Sequence, residues 1–414
     1  MSEAGAAVII GTGQGGFQAA ASLRDEGFGG AVTLVGDEPD LPYQRPPLSK
    51  AYLSGKADVD LVRLRPERFY SEHRVTVRTG TRAAAIDRAG RRVVLESGER
   101  LDYDHLVLAT GAHNRPLPVP GSGLEGVLQL RSLQDADAIR RQLEGARRAV
   151  VVGGGFIGLE FAAVAAERGL EVTVVEAASR LMSRAVSPAV SSFVQSTHER
   201  RGIRFLLETA VTEITGGQRV SGVGTADGRH LPADLVVIGI GVLPNTALAA
   251  EAGLEIANGI VVDEHLLTRD PAISAIGDCA SFPCRHAGNA RVRLESVQNA
   301  VDQARCVAAR LVGRAAPYAA LPWFWSDQGA LKLQIAGLCA PHDRAVLRPD
   351  PAKRGLSVFC YRGDRLIGVE SVNRPVEHIH ARKLLAAGIE VAPEQACDPG
   401  FDLKAHAAGP QRRA

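Results

Sequence analysis

The sequence predicts an α/β protein that carries the same unit twice: an apolar strand, a turn on glycines into a helix, and a return to a second strand that ends in an acid. Three observations predict it. "AVIIGTGQGGF" opens at Ala7, "VVVGGGFIGLE" repeats the pattern from Val150, and both are followed by a second apolar strand. The composition, 45% hydrophobic and 23% charged over 414 residues, is that of a globular chain with enough apolar surface for two or three cores.

In the first copy, the strand Ala7 to Ile10 meets Gly11, Gly13 and Gly16, and a helix is expected from about Phe17 to Glu26. The strand "AVTLV" follows and ends at Asp37. In the second copy, the strand Ala149 to Val152 meets Gly153, Gly155 and Gly158. A helix is expected to about Arg168, then the strand "EVTVV" with Glu176 at its end. The first glycine of such a motif makes a tight turn, the second lets a pyrophosphate approach the backbone, and the third packs helix on strand. The helix N-terminus then presents free N–H groups and the positive end of its dipole to the phosphates. An acid at the end of the second strand accepts hydrogen bonds from a ribose.

Two cradles imply two dinucleotides. For a redox enzyme the natural pair is a bound flavin and an exchanging nicotinamide. A carboxylate at Glu176 bonds a 2′-hydroxyl and repels a 2′-phosphate, which favours NADH, although Arg180 and Arg184 nearby are of the type that accommodates a phosphate.

A net charge of +2 with interleaved acids and bases gives no concentrated basic face, so nucleic acid is not an expected partner. The start of the chain lacks a basic and then apolar leader, so export is not expected. Apolar runs such as "LVVIGIGV" fall far short of the ~20 residues that cross a bilayer, so no membrane span and a cytoplasmic setting are expected. The six cysteines show no CxxC pair, and the eleven histidines no metal-ligand spacing. "HIHAR", with His378 and His380, reads as a solvated turn or strand. Cys279 and Cys284 form a CxxxxC, a spacing found in redox-active disulfides of some flavoenzymes.

Beyond the glycine motifs, "LPYQRPPLSKAYL", "LVLATGAHNRPLP", "GIGVLPNT", "AISAIGDCA", "ESVQNAVDQA" and "LPWFWSDQGALKLQIAGL" carry a resemblance that covers nearly the whole chain. It resembles the glutathione-reductase-fold flavoproteins, and within them the NADH-dependent ferredoxin reductases of bacterial cytochrome P450 and ring-hydroxylating oxygenase systems. The resemblance implies two Rossmann-like domains and a C-terminal α+β domain. FAD would be held by residues 1–112 and 245–320, NAD by 113–244, and 321–414 would form an interface domain. The Gly/Pro punctuation of "NRPLPVPG" and "GIGVLPNT" agrees with such crossings.

By the same resemblance, Lys50 lies beside the flavin, opening a helix after Pro46 and Pro47, and Glu160 pairs with it and orients it near the nicotinamide. On the residues alone Lys50 reads as a solvated lysine and Glu160 as a helix-surface acid. Asp278 would take the FAD ribityl hydroxyls, and Val297 would open a helix aimed at the flavin carbonyl. Gly15, Arg45, Ala83, Thr110, Gly111 and Arg131 are implied on the FAD side, and Ile157, Arg184 and Gly241 on the NAD side. Alternation puts Trp323 and Trp325 on one strand face with Phe324 on the other, and the resemblance gives Trp325 a place at the flavin.

Disulfide-reducing relatives carry their cysteine pair in the first FAD segment, where this chain has "PYQRPPLSKAYL" and no cysteine, so Cys279 reads as a small buried residue. The implied activity is hydride transfer from NADH to FAD and single-electron delivery to an acidic, transiently docked [2Fe–2S] ferredoxin, by a monomer or weak homodimer. Arg305 and Arg310 are candidates for steering that partner, with an ordinary solvated helix face of equal weight. A rubredoxin reductase, or a redox-sensing flavoprotein of the apoptosis-inducing-factor type, is an alternative.

Overall fold

Short apolar runs set two parallel sheets, one in each of the two units into which the chain divides. The computed structural model describes residues 5–350 and 354–408. The first unit draws on Met1–Arg45, Asp58–His113 and Val242–Ala320, the second on Pro46–Ala57, Asn114–Gly241 and Leu321–Ala414.

In the first unit the strand order is Ile273–Ala275, His105–Leu108, Ala7–Ile10, Val32–Val35 and Val75–Arg78, all parallel. Ala7–Ile10 is buried at every position, a run with no alternation, as expected for a strand covered on both faces. The helix Gln14–Asp25 buries Ala19, Ala20 and Ala21 and packs on the helix Val297–Leu311. Small side chains permit that close approach. An antiparallel meander of Ala83–Asp87, Arg92–Leu95 and Arg100–Asp102 completes the part of the unit that bears on the site.

The second unit repeats the scheme in the order Arg204–Leu206, Glu171–Val175, Arg148–Val152, Leu235–Ile238 and Val127–Gln129, again parallel. It adds an antiparallel sheet in the order Trp323–Gln328, Leu331–Gly337, Arg365–Val372, Gly355–Arg362 and Arg344–Asp350. This sheet shares one apolar core with the Rossmann-like part. Leu159 on the helix Phe156–Glu167, and Val190 and Val194 on the helix Pro188–Glu199, pack with Leu331, Leu333, Val358 and Val372. The helix Pro375–Ala387 contributes Ala381 and Leu384 to a second core with Phe359, Tyr361 and Val369.

That helix corrects the reading of "HIHAR". His378 and His380 lie on a helix with Pro375 in its first turn and Gly388 in the left-handed conformation at its C-terminal end. His378 is buried, its ring 5.8 Å from that of Trp323. Burial, then the Arg382 charge, lowers its pKa to about 4, so it is neutral at pH 7.

Candidate functional site

The two glycine turns show what each glycine is for. Gly11 and Gly153 have φ of +113° and +106°, and a Cβ there would lie 2.1 Å from Ala109 O and 2.5 Å from Gly239 O. Gly16 and Gly158 have ordinary backbones but no room, since a Cβ would lie 1.8 Å from Gly11 O and 2.3 Å from Gly153 O. Gly13 and Gly155 are different. Both are extended, with φ of −73° and −81°, and a Cβ would meet nothing within 4 Å at Gly13 and only Gly239 O, at 3.8 Å, at Gly155.

The protein therefore has no steric need for glycine at these two places. The space in front of them is kept clear for something outside the chain. Both residues cap twelve-residue helices whose first N–H groups receive no side-chain cap, whereas Ser132, Ser187 and Ser296 each cap their own helices with a hydroxyl. Cleared space before uncapped N–H groups at the positive end of a dipole fits a pyrophosphate, so both cradles fit a dinucleotide.

Around the first cradle, Gly15 would place a Cβ 3.6 Å from Ala300 and Ile276, and Gly277 one 3.5 Å from Ala300. This contact brings the half-buried Asp278, on the 3₁₀ turn Gly277–Cys279, and Val297, first residue of its helix, against the glycine helix. Asp37 is exposed beyond its strand. Arg45 is ion-paired with Glu38, donates to the Tyr43 hydroxyl at 3.2 Å and lies over the Tyr43 ring. Thr110 donates to Asn245 O at 2.7 Å and accepts at its own carbonyl from Asn245 Nδ2 at 2.8 Å, with Gly111 at φ +67° completing the turn. Ala83 pairs with Leu95 on the meander.

Around the second cradle, the Glu176 carboxylate accepts from the N–H of Gly154 at 2.6 Å and of Ala178 at 2.8 Å, which fixes it beside the glycine turn. Ile157 is 43% exposed there, an apolar side chain left in water. Arg184 is exposed, with Nη2 3.3 Å from where a Cβ on Gly241 would stand. Arg180 instead donates to Val186 O and Ser183 O at 2.7 and 2.6 Å, so its guanidinium braces its own loop. Arg131, expected on the FAD side, belongs to the second unit and is half-buried before the helix Leu133–Leu143, where its N–H donates to Asp135 at 2.9 Å.

Lys50 and Glu160, 110 positions apart in sequence, meet within the second unit: Lys50 Nζ lies 2.7 Å from Glu160 Oε2. Glu160 is no surface acid, being 2% exposed. Its Oε2 also accepts from Ser49 Oγ at 2.5 Å and its Oε1 from Ser326 Oγ at 2.6 Å, while Lys50 donates additionally to Pro46 O at 3.1 Å. Three donors on a buried carboxylate leave little uncompensated charge. Lys50 does not open a helix. It follows the 3₁₀ turn Pro46–Ser49 and begins a run of turns, with its own N–H and that of Tyr52 both bonded to Pro47 O at 3.0 Å.

Ser49 and Ser326 were missed in the sequence. Their only signal is position: Ser49 precedes Lys50, and Ser326 follows Trp325 on the opposite face of its strand. Trp323 and Trp325 do share a face, with ring centroids 5.5 Å apart, while Phe324 packs on Phe156 at 4.6 Å. Arg382 covers the Trp323 ring at 4.2 Å.

Of the two steering candidates, Arg305 is exposed but Arg310 is not available. Arg310 is half-buried and donates to Ser274 Oγ at 2.6 Å, and burial lowers its pKa. Cys279 and Cys284 are buried free thiols, pushed up in pKa by burial.

Comparison with known proteins places this geometry. The family model "Pyridine nucleotide-disulphide oxidoreductase" matches residues 5–304, and the model "Reductase C-terminal" residues 323–407. The chain belongs to the pyridine nucleotide-disulphide oxidoreductases. It is 52% identical to rhodocoxin reductase of Rhodococcus erythropolis over 96% of this chain and 93% of that one. It is 42% identical to a rubredoxin-NAD(+) reductase of Pseudomonas putida over 89% and 96%. Among solved structures it superposes on the ferredoxin reductase for the CYP199A2 system from Rhodopseudomonas palustris with a TM-score of 0.95 and 51% identity, covering 97% of this chain and 99% of that one. As a member of this family it is a flavoprotein oxidoreductase whose cofactors are FAD and NAD(H). The glutathione-reductase-type α/β fold and the resemblance read from the sequence both hold.

Proposed function

We propose that the chain is an NADH-dependent ferredoxin reductase, delivering electrons singly to a [2Fe–2S] ferredoxin of a cytochrome P450 or ring-hydroxylating oxygenase system. One observation carries the reading: two cradles with glycines the protein itself does not require, on a chain about half identical to a ferredoxin reductase over nearly its whole length. In this reading FAD takes the first cradle, held by Gly11, Gly13, Gly15 and Gly16 with Asp37, Arg45, Ala83, Thr110, Gly111, Arg131, Asp278 and Val297. NADH takes the second, held by Gly153, Gly155, Ile157 and Gly158 with Glu176, Arg184 and Gly241. Bound FAD would supply the chemistry that accepts two electrons as a hydride and gives them up one at a time.

The protein's share is placement and charge. The uncapped helix N-termini hold the phosphates, and Glu176, fixed by Gly154 and Ala178, accepts from the 2′-hydroxyl that NADH has and NADPH lacks. Lys50 brings a positive charge held in place by a buried, hydrogen-bonded carboxylate, which would stabilise negative charge on the reduced flavin. Trp325 has its proposed place at the flavin from the resemblance. An acidic ferredoxin docking transiently, a monomeric or weakly dimeric enzyme and a cytoplasmic setting complete the reading.

Anaerobic rapid mixing tests it. NADH should reduce the flavin much faster than NADPH, and a [2Fe–2S] ferredoxin should reoxidise it with multiple turnovers. Rubredoxin as the faster acceptor would replace the partner assignment. Slow reduction that ends in a long-lived charge-transfer complex with no carrier turnover would favour the redox-sensing alternative.

A further inference from the structure

We propose that Ser326, Gln328 and His198 are positioning residues for Lys50, a one-way chain of hydrogen-bond donors that ends on Glu160 and holds its carboxylate against the lysine. The proposal rests on the reading of Lys50 and Glu160 as part of the reducing site. The chain starts at His198, 0% exposed on the helix Pro188–Glu199, whose Nε2 donates to Gln328 Oε1 at 2.9 Å. Gln328 Nε2 donates to Ser326 Oγ at 3.3 Å, and Ser326 Oγ donates to Glu160 Oε1 at 2.6 Å.

The direction follows from the groups. A carboxylate only accepts, so Ser326 must spend its one proton on Glu160, and its oxygen is left to accept from the Gln328 amide. The Gln328 carbonyl then faces His198, which must carry its proton on Nε2. His198 Nδ1 has no partner among the described residues, and burial lowers the pKa of the ring, both consistent with that neutral tautomer.

Every member is buried, so no water competes for these bonds. A buried polar chain on an edge strand serves no packing purpose that apolar side chains would not serve better. Its effect is to grip Glu160 at Oε1, while Ser49 and Lys50 grip Oε2. Ser326 also adjoins Trp325, so the same bond fixes the height of the strand that carries the tryptophan.

The readout is the reactivity of Lys50, which needs no electron transfer. The holoenzyme is treated with an acetylating N-hydroxysuccinimide ester, and acetylation at Lys50 is followed by peptide mass spectrometry, with the exposed Lys56 as internal reference. Losing one charge-assisted hydrogen bond from the carboxylate should loosen Lys50, raising its rate in Ser326→Ala roughly three- to ten-fold. Ser326→Thr, which keeps the hydroxyl, should return it to within about two-fold of wild type, and Gln328→Met, one bond further away, should raise it by about two-fold.

In rapid mixing with NADH, Ser326→Ala should lower the limiting rate of flavin reduction without changing the NADH concentration for half-saturation. It should have no further effect in a Lys50→Met background. Unchanged labelling in Ser326→Ala, or a Ser326→Thr variant as reactive as Ser326→Ala, overturns the proposal. If Ser326→Ala does not fold, unchanged labelling in Gln328→Met overturns it. A wild-type enzyme that NADH does not reduce would refute the proposed function and leave the labelling result standing.

Discussion

Replacing Lys50 by methionine removes the one full positive charge bonded to a carboxylate that is 2% exposed. At 2.7 Å the gross attraction is about 6 kcal/mol with an effective dielectric of about 20, part of it cancelled by the desolvation of both ions. Breaking a buried pair from one side costs about 3–5 kcal/mol, because the orphaned charge remains. Ser49 and Ser326 still donate to Glu160, which points to the low end, about 3 kcal/mol. For a unit of this size that lowers the unfolding midpoint by roughly 6–12 °C.

Glu160→Gln alone should cost less, about 1–2 kcal/mol, since Lys50 is 20% exposed and keeps Pro46 O. The double variant should cost about 2–3 kcal/mol, less than the sum of the single losses, which gives a coupling of about 2 kcal/mol in the double-mutant cycle. Calorimetry at equal FAD saturation measures all four corners. A coupling below about 0.5 kcal/mol would show that the pair is a surface contact in energetic terms, and the account of Lys50 as a fixed charge would be wrong.

The glycines separate fold from function. Gly155→Val should leave the unfolding midpoint unchanged yet weaken NADH binding at least ten-fold, as its side chain enters space the protein leaves clear, whereas Gly158→Val, aimed at Gly153 O, should destabilise the fold itself. Calorimetry and NADH titration on both variants check the contrast. Glu176→Ala should narrow the ratio of NADH to NADPH specificity constants, and an unchanged ratio would remove Glu176 from cofactor choice. Stability should fall with acid. His105 and His378 have folded pKa values lowered to about 3 and about 4, chiefly by burial, so the unfolded chain binds more protons below about pH 6.5. Between pH 7 and pH 5 each should cost about 2 kcal/mol, and His378→Phe should flatten the denaturation profile over that window.

The glycine turns and their strands were legible because their constraints are local: a positive φ, a missing Cβ and an apolar run can all be read along the chain. Lys50 and Glu160 show where local reading stops. Their segments meet only because the turn at Pro46–Ala57 folds with the second unit, which no pattern near Lys50 announces, and the pairing came from resemblance alone. Ser326 was hidden by two tryptophans whose size draws attention to the other face of the strand. His378 was misread because the alternation in "HIHAR" was weighed above Pro375 and Gly388, which mark a helix start and stop. Arg310 looked like a surface cation because nothing in sequence reveals Ser274, 36 positions earlier and directly beneath it.

The most direct measurement is an anaerobic titration of the purified protein. The account predicts a yellow protein with one FAD per chain, bleached by a single equivalent of NADH and restored by two equivalents of oxidised [2Fe–2S] ferredoxin. A protein that takes up no flavin, or a flavin that NADH leaves oxidised, would contradict it.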